Sequence, residues 1–299
     1  MKNTKEVHIL LICFFLWQFI STFIVFQRVL PAMINAGIIE VPGRAAIFTV
    51  YHFTIFVIPM IFAIVFAKKR GLKLIPFKKP DPLLIIFTVL MGIAIRPLGI
   101  LVSYLTNIAG VDDTAIEGFS QIIETHILPV SMLVMAVMPS LTEEFLFRGA
   151  AVSGYRGVAP MKAALVNGLL FGLMHGNIRQ FFYAAILGVF ITLVVIRAGS
   201  ILYGIIMHFV INGVQVLLTF FAEDYALEAH AEPGEPIFLL VTLTVFAAAS
   251  TWIYLWIYKS FKKRCEKLDP EYTIALREEP VHVISLIVAI IVGVSFMTF

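Results

Sequence analysis

The most informative stretch of this 299-residue chain is residues 141–149, LTEEFLFRG. It places two adjacent carboxylates, Glu143 and Glu144, and one arginine, Arg148, inside an apolar run that extends from about residue 127 to residue 153. A run of this length can cross a bilayer, where an ionisable group is costly and by default marks a functional site. The stretch therefore predicts a membrane-embedded helix that carries a functional group.

The composition of the whole chain indicates a membrane protein. Hydrophobic residues make up 60% of the sequence and charged residues only 14%, far from the values of a soluble domain. Backbone polar groups in hydrocarbon must be paired internally, so the apolar stretches are expected to be helices. We therefore predict an all-α polytopic membrane protein of about eight to nine transmembrane helices with a polar cluster inside the bundle. The predicted spans are 8–30, 46–67, 82–107, 127–153, 160–177, 180–197, 200–221, 237–258 and 281–299.

The distribution of charge predicts the topology. Lys and Arg are concentrated in segments 68–79 and 259–277, whereas segments 108–126 and 222–236 are acidic and contain neither. Because basic loops stay cytoplasmic, nine spans give a cytoplasmic N-terminus and a C-terminus on the other side. Topology also explains the basic loops without a nucleic-acid partner, and membrane lipids are the expected surroundings. We predict an integral, multi-pass protein of a prokaryotic plasma membrane.

Two predicted helices bring a glutamate and a histidine to the same depth. Glu143 lies 15 residues before Val158, in the connection between spans 127–153 and 160–177, and His175 lies 17 residues after it. In an antiparallel hairpin with a rise of about 1.5 Å per residue, the two side chains are within about 3 Å of the same depth. Phe171 shares a helix face with His175 at a spacing of four.

A third helix adds a polar stripe. Ser200, Gly204, His208 and Asn212 recur at intervals of four and therefore share one face of span 200–221. We predict that Glu143, His175, His208 and Asn212 converge within the bilayer. Each of these polar groups adds an insertion cost, so their joint presence favours a functional centre over a structural role.

Glu144 and Arg148 are spaced as an ion pair. Their i, i+4 spacing, with the glutamate on the N-terminal side, is the favourable order. Glu143 points about 100° away and is left for the centre of the bundle. His52 and Arg96, in other spans, are interpreted as packing or snorkelling residues.

Three motifs, in this order, resemble those of a known family. They are Glu143-Glu144-x-x-x-Arg148, Phe171-x-x-x-His175 and His208-x-x-x-Asn212. The pattern resembles the CAAX protease and bacteriocin-processing (CPBP) family of intramembrane proteases, which includes the type II CAAX prenyl endopeptidases. The resemblance covers 143–212. It suggests N-terminal helices in 1–126, a catalytic core in 127–221, and C-terminal helices with a basic loop in 222–299.

The resemblance implies an intramembrane endopeptidase acting on a peptide or protein substrate, which in some family members is lipidated. It implies that Glu143 and His175 activate a water while His208 and Asn212 stabilise the oxyanion. Glu144, Arg148 and Phe171 would support them, and no cofactor is expected. This fits peptide hydrolysis, which needs a base for water and donors for the developing negative oxygen.

Two alternatives stay open at the level of sequence. The same residues could form a zinc-dependent metalloprotease with Glu143, His175 and His208 as ligands, because glutamate and histidine are both zinc ligands. The protein could instead be a non-catalytic immunity or scaffold protein of the same family. A transporter is less favoured, because no inverted repeat is visible.

Overall fold

The computed structural model describes residues 2–37, 44–110, 127–221, 235–270 and 281–297. These residues form nine helical segments, and no strand occurs among them. The segments are α1 (2–35), α2 (44–70), α3 (Pro82–Ile108), α4 (128–155), α5 (Pro160–Leu173), α6 (Ile178–Ala198), α7 (Ile201–Phe221), α8 (Glu235–Leu268) and α9 (Val283–Met297).

The prediction of an all-α polytopic membrane protein is confirmed. Within the described ranges, seven helices are long and apolar enough to cross a membrane, and the shorter α5 and α9 are also apolar. The span predicted at 160–177 is too long, since α5 ends at Leu173. Gly176 adopts a left-handed conformation with φ of 63°. The side chain of Asn177 then caps α6 by accepting hydrogen bonds from the amides of Arg179 and Gln180 at 2.9 and 3.1 Å.

The basic segments lie at one end of the bundle. Lys78 pairs with Asp269 just after α8 at 2.8 Å, and Arg264 near the end of α8 pairs with Asp81 at 2.6 Å. Arg264 also holds the pKa of the Asp81 carboxyl below its usual value by hydrogen bonding to the charged form. Segments 68–79 and 259–268 therefore share one end, here called the basic end. Their cytoplasmic location stays a prediction.

The acidic segments used in the topology argument fall mostly outside the described ranges, which omit 111–126 and 222–234. The proposed division of the chain at 126 and 221 stays a prediction for the same reason, because both boundaries fall next to these segments.

Glycines on α5 allow α6 to pack closely against it. A Cβ added at Gly168 would come within 2.7 Å of the Ala185 carbonyl oxygen, and one at Gly172 within 2.7 Å of the Phe181 carbonyl oxygen. No side chain fits at either position without moving the α6 backbone. The tight hairpin holds Phe171, which lies between the two glycines in sequence, against the centre of the bundle.

Helix α4 is irregular where it carries charge. It contains π-helical turns at Leu133–Val137 and Phe145–Ala151 and ends in a 3₁₀ turn at Val152–Tyr155. Single π-helical turns inside α-helices are frequent at functional sites. The second π-helical turn contains Arg148 and directly follows the two glutamates.

Candidate active site

The innermost group of the site is a buried ion pair on α4. Arg148 Nη1 donates to Glu144 Oε1 at 2.8 Å, and both side chains are completely buried. Arg148 Nη2 donates to the Gly188 carbonyl of α6 at 3.1 Å. The guanidinium carbon lies 4.0 Å from the centre of the Phe171 ring, within the range of a cation–π contact. The pair expected from the i, i+4 spacing is therefore present and is enclosed by α5 and α6.

Glu144 also contacts His208 on α7. His208 Nδ1 lies 2.9 Å from Glu144 Oε1, the oxygen that accepts from Arg148. An ionised carboxylate only accepts hydrogen bonds, so the proton lies on Nδ1 of His208. The sequence assigned Glu144 to Arg148 alone, and the structure adds this second partner from a distant helix.

Glu143, next in the chain, is buried and has no hydrogen-bond partner at Oε2. The polar atom facing it is His208 Nε2, at 4.0 Å from Oε2, which is too long for a direct hydrogen bond. A buried carboxylate oxygen without a partner is rare and calls for an explanation, such as a catalytic role.

Asn212 lies one turn beyond His208 on α7. Its Nδ2 donates to the Met135 carbonyl of α4 at 3.2 Å and lies 3.2 Å from His208 Nε2. The Met135 carbonyl can only accept, which fixes the amide group so that its nitrogen faces His208. Asn212 therefore presents a donor beside the ring nitrogen nearest Glu143.

His175 joins the group through Phe171. Its Nδ1 donates to the Phe171 carbonyl at 3.0 Å, and the two rings meet edge to face at 5.2 Å. The Phe171 ring also meets His208 at 5.9 Å. No direct hydrogen bond joins His175 to Glu143. Phe171 thus contacts Arg148, His175 and His208, and His175 lies at the edge of the group just beyond the end of α5.

The arrangement of these side chains bears on whether they could bind a metal. In the described ranges, no three His, Cys, Asp or Glu residues lie close enough together to hold a metal ion. Both ring nitrogens of His208 face protein partners, Glu144 at Nδ1 and Asn212 at Nε2. The ligand set Glu143, His175 and His208 is therefore not assembled in this conformation.

Gly204 on α7 provides the space that Glu144 occupies. A Cβ added at Gly204 would come within 2.7 Å of Glu144 Oε2 and 2.6 Å of Val195 Cγ2. The stripe of small and polar residues predicted on this helix therefore has a specific use at Gly204. It lets α7 approach the carboxylate that holds His208.

His52 also lies close to the site, which its position in the sequence does not indicate. His52, at the start of the π-helical turn of α2, is buried, and its Nε2 lies 2.7 Å from the hydroxyl oxygen of Thr142. Thr142 donates its own proton to the Met138 carbonyl at 2.9 Å, so its oxygen accepts from His52. His52 is a packing residue, as expected, but it contacts the residue next to Glu143. Only the packing of α2 on α4 could have revealed this.

These features define a polytopic helical membrane protein with a buried glutamate, histidine and asparagine group. Residues 125–214 match the family model described as Rce1-like, type II CAAX prenyl endopeptidase Rce1-like. The match confirms the resemblance drawn from the three motifs, all of which lie inside it, and it supports a CAAX-type intramembrane endopeptidase. Comparison with curated proteins and with solved structures finds no match. His52 and Arg96 lie outside the matched region.

Proposed function

We propose that this protein hydrolyses a peptide bond within the membrane by means of a water activated by Glu143 and His175. His208 and Asn212 stabilise the oxyanion, and no metal takes part. The preferred substrate is a peptide that ends in a lipidated cysteine followed by three residues, as the name of the matching family suggests. The observation that carries the proposal is the unpartnered Oε2 of Glu143, 4.0 Å from His208 Nε2.

Glu143 has a carboxylate oxygen without a hydrogen-bond partner, which a general base needs in order to accept a proton. Glu144 is engaged at Oε1 by Arg148 and His208, and its Oε2, which also has no hydrogen-bond partner, lies against Gly204. Oε2 of Glu143 instead faces His208 Nε2, on the side of Asn212. The 4.0 Å between Glu143 Oε2 and His208 Nε2 is a separation that a water molecule can bridge. A water bound to Oε2 would lie beside His208 and Asn212, where the reacting carbonyl must also lie.

The tautomer of His175 suits proton transfer. Because the Phe171 carbonyl accepts from Nδ1, Nε2 of the neutral ring carries the lone pair. His175 can therefore accept a hydrogen bond from the attacking water or take up its proton. His175 lies just beyond the end of α5, and this role requires it to approach Glu143 when substrate binds.

His208 and Asn212 form a pair of donors. In this structure the Asn212 amide N–H faces the lone pair of His208 Nε2 at 3.2 Å. When Nε2 takes up a proton, Asn212 must turn away from it, and both N–H groups can then point toward one substrate oxygen. Two donors this close can bind one oxygen that gains negative charge. In this state the positive charges of Arg148 and His208 balance the negative charges of Glu143 and Glu144.

The reaction follows from these roles. The water oxygen attacks the peptide carbonyl carbon while Glu143 takes one of its protons, directly or with His175. The carbonyl oxygen becomes an oxyanion bound by His208 and Asn212. When the tetrahedral intermediate collapses, the C–N bond breaks and the proton passes from Glu143 to the leaving nitrogen. The products are a new carboxyl group and a new amine.

The direct test uses the purified full-length protein in lipid vesicles. The substrate is a fluorescent peptide ending in a farnesylated cysteine and three further residues, and cleavage is located by mass spectrometry. Wild type is expected to release the three-residue product, and Glu143→Gln to release none. Glu266→Gln, which alters an exposed ion pair with Lys262, is the matched control and should retain activity. Turnover by Glu143→Gln at the wild-type rate would overturn the proposal.

A further inference from the structure

Arg96 is a half-buried arginine, and unlike Arg148 it has no acidic partner in the described part of the chain. It lies near the middle of α3, where Nη2 donates to Gln215 Oε1 of α7. Its Nε is buried without a hydrogen-bond partner, and Tyr183 of α6 is close enough to interact electrostatically. The guanidinium is thus held by the neutral amide of Gln215, through a hydrogen bond that is exposed.

A cation in a membrane-spanning helix raises the free energy of insertion, so its presence suggests a function. An arginine near the middle of a membrane-spanning helix costs several kcal/mol on insertion scales, and such groups usually face a partner or a pathway. The Gln215 amide holds the guanidinium in place but does not neutralise it. The site therefore has the chemistry to bind an anion, and the planar guanidinium suits a carboxylate in particular.

Gln215 places Arg96 beside the candidate active site. Gln215 follows Asn212 by three positions and His208 by seven, so the three lie within an arc of about 60° on one face of α7. The polar stripe of α7 thus continues past the catalytic group, and Gln215 Nε2 donates in turn to Thr219 at 3.1 Å. This face runs from His208 away from the basic end.

The axial separation of His208 and Gln215 matches the length of three extended peptide residues. Seven helical residues rise about 10 Å, which is the approximate axial separation of His208 and Gln215. Three residues of extended chain also cover roughly 10 Å. A substrate cleaved three residues before its end would therefore have its terminal carboxylate at the level of Gln215 when its scissile carbonyl is at His208 and Asn212.

We infer that Arg96, held by Gln215, binds the C-terminal carboxylate of the substrate. This rests on the proposed function and assigns the residue that recognises the end of the substrate chain. The enzyme prefers peptides whose chain ends three residues after the cleaved bond, because only these bring a carboxylate to Arg96. Internal peptide bonds, followed by a longer chain, leave the guanidinium without its anion.

The test compares two forms of the farnesylated reporter peptide, one with a free C-terminal carboxylate and one with a C-terminal amide. Wild type is expected to cleave the acid at least tenfold faster in kcat/KM, the size of effect that a charge-assisted hydrogen bond produces. Arg96→Gln should cleave both forms at the rate at which wild type cleaves the amide. Arg96→Lys should keep part of the preference, because its charge remains but its planar fork is lost.

The controls separate the possible failures. Arg28→Gln, which alters an exposed arginine stacked on Phe23, should keep the full preference for the acid. Equal cleavage of acid and amide by wild type overturns the role of Arg96 and leaves the protease intact. Equal slowing of both forms by folded Arg96→Gln means that Arg96 is structural and also overturns it. If wild type cleaves neither form, the proposed function itself fails, and this inference fails with it.

Discussion

His208 Nδ1 and Arg148 Nη1 donate to the same oxygen of Glu144, at 2.9 and 2.8 Å. One buried carboxylate therefore neutralises the guanidinium and also fixes the tautomer and orientation of the histidine. This gives the two adjacent glutamates of α4 different tasks. Glu144 positions its neighbours, and Glu143 keeps an oxygen free for chemistry.

The first prediction contrasts these glutamates through the same substitution. Glu144→Gln leaves the buried charge of Arg148 unpaired, and breaking a buried pair in this way typically costs about 3–5 kcal/mol. Glu143→Gln removes no hydrogen bond at Oε2 and should change stability by less than about 1 kcal/mol. Both variants should be inactive. Thermal unfolding in detergent, followed beside peptide cleavage, measures the two effects separately.

Arg148→Ala provides the reciprocal check. It leaves the Glu144 carboxylate buried without its cation, removes the contact with the Phe171 ring and opens a cavity, so its loss of stability should be at least as large as that of Glu144→Gln. Equal stability of Glu143→Gln and Glu144→Gln would contradict the division of tasks. It would mean that the ion pair contributes nothing to the folded state.

The second prediction concerns His52. Its hydrogen bond to Thr142 ties α2 to the turn of α4 that carries Glu143. His52→Ala should lower kcat several-fold with little change in KM, because the base is displaced while the substrate-binding groups remain. The lost hydrogen bond should also lower stability by about 1 kcal/mol. His52→Gln keeps a donor and should recover part of kcat.

His8 is the matched control for His52. It is also a buried histidine between two hydroxyl groups, those of Ser285 and Tyr155, but it lies near the basic end. His8→Gln should affect stability without changing kcat. If His8→Gln lowers kcat as much as His52→Gln does, the effect is one of general packing rather than positioning of Glu143.

The sequence predicted most helix positions well, because a long apolar run is enough to indicate a membrane-spanning helix. The expected spans 82–107 and 200–221 nearly coincide with Pro82–Ile108 and Ile201–Phe221. The end of α5 was predicted four residues too late. Its position depends on Asn177 capping the next helix, and hydropathy does not detect a polar cap inside an apolar region.

The site was predictable only in part. Spacing along one helix predicted the pairing of Glu144 with Arg148 and the shared face of His208 and Asn212. The bond from His208 to Glu144 depends on how α7 is rotated against α4, and a single sequence carries no measure of that rotation. The contact of His52 with Thr142 was out of reach for the same reason.

The third prediction concerns metal. A catalytic zinc holds three protein ligands at about 2.0–2.2 Å. Coordination by His208 would require it to give up Glu144 at Nδ1 or Asn212 at Nε2, and Glu143 and His175 would both have to move. We expect no stoichiometric zinc in active protein and full activity after exhaustive chelation. Loss of activity on chelation with recovery by zinc alone would make Glu143, His175 and His208 the ligands and would leave the protease assignment intact.

The last prediction tests the space beside Glu144. Gly204→Ala places a methyl group 2.7 Å from Glu144 Oε2 and 2.6 Å from Val195 Cγ2, closer than real contacts allow. Overpacking of this kind typically costs about 1–3 kcal/mol. The easiest relief is a shift of α7 away from α4, which lengthens the bond between Glu144 and His208 and should lower kcat.

Gly99→Ala on α3 is the control, because its methyl group would lie 3.4 Å from Leu187 Cδ1, an ordinary contact. Alanine is a better helix former than glycine by up to about 1 kcal/mol, so this control should be neutral or stabilising. If Gly204→Ala is as stable and active as Gly99→Ala, α7 does not need its close approach to Glu144, and the positioning of His208 by that carboxylate is refuted.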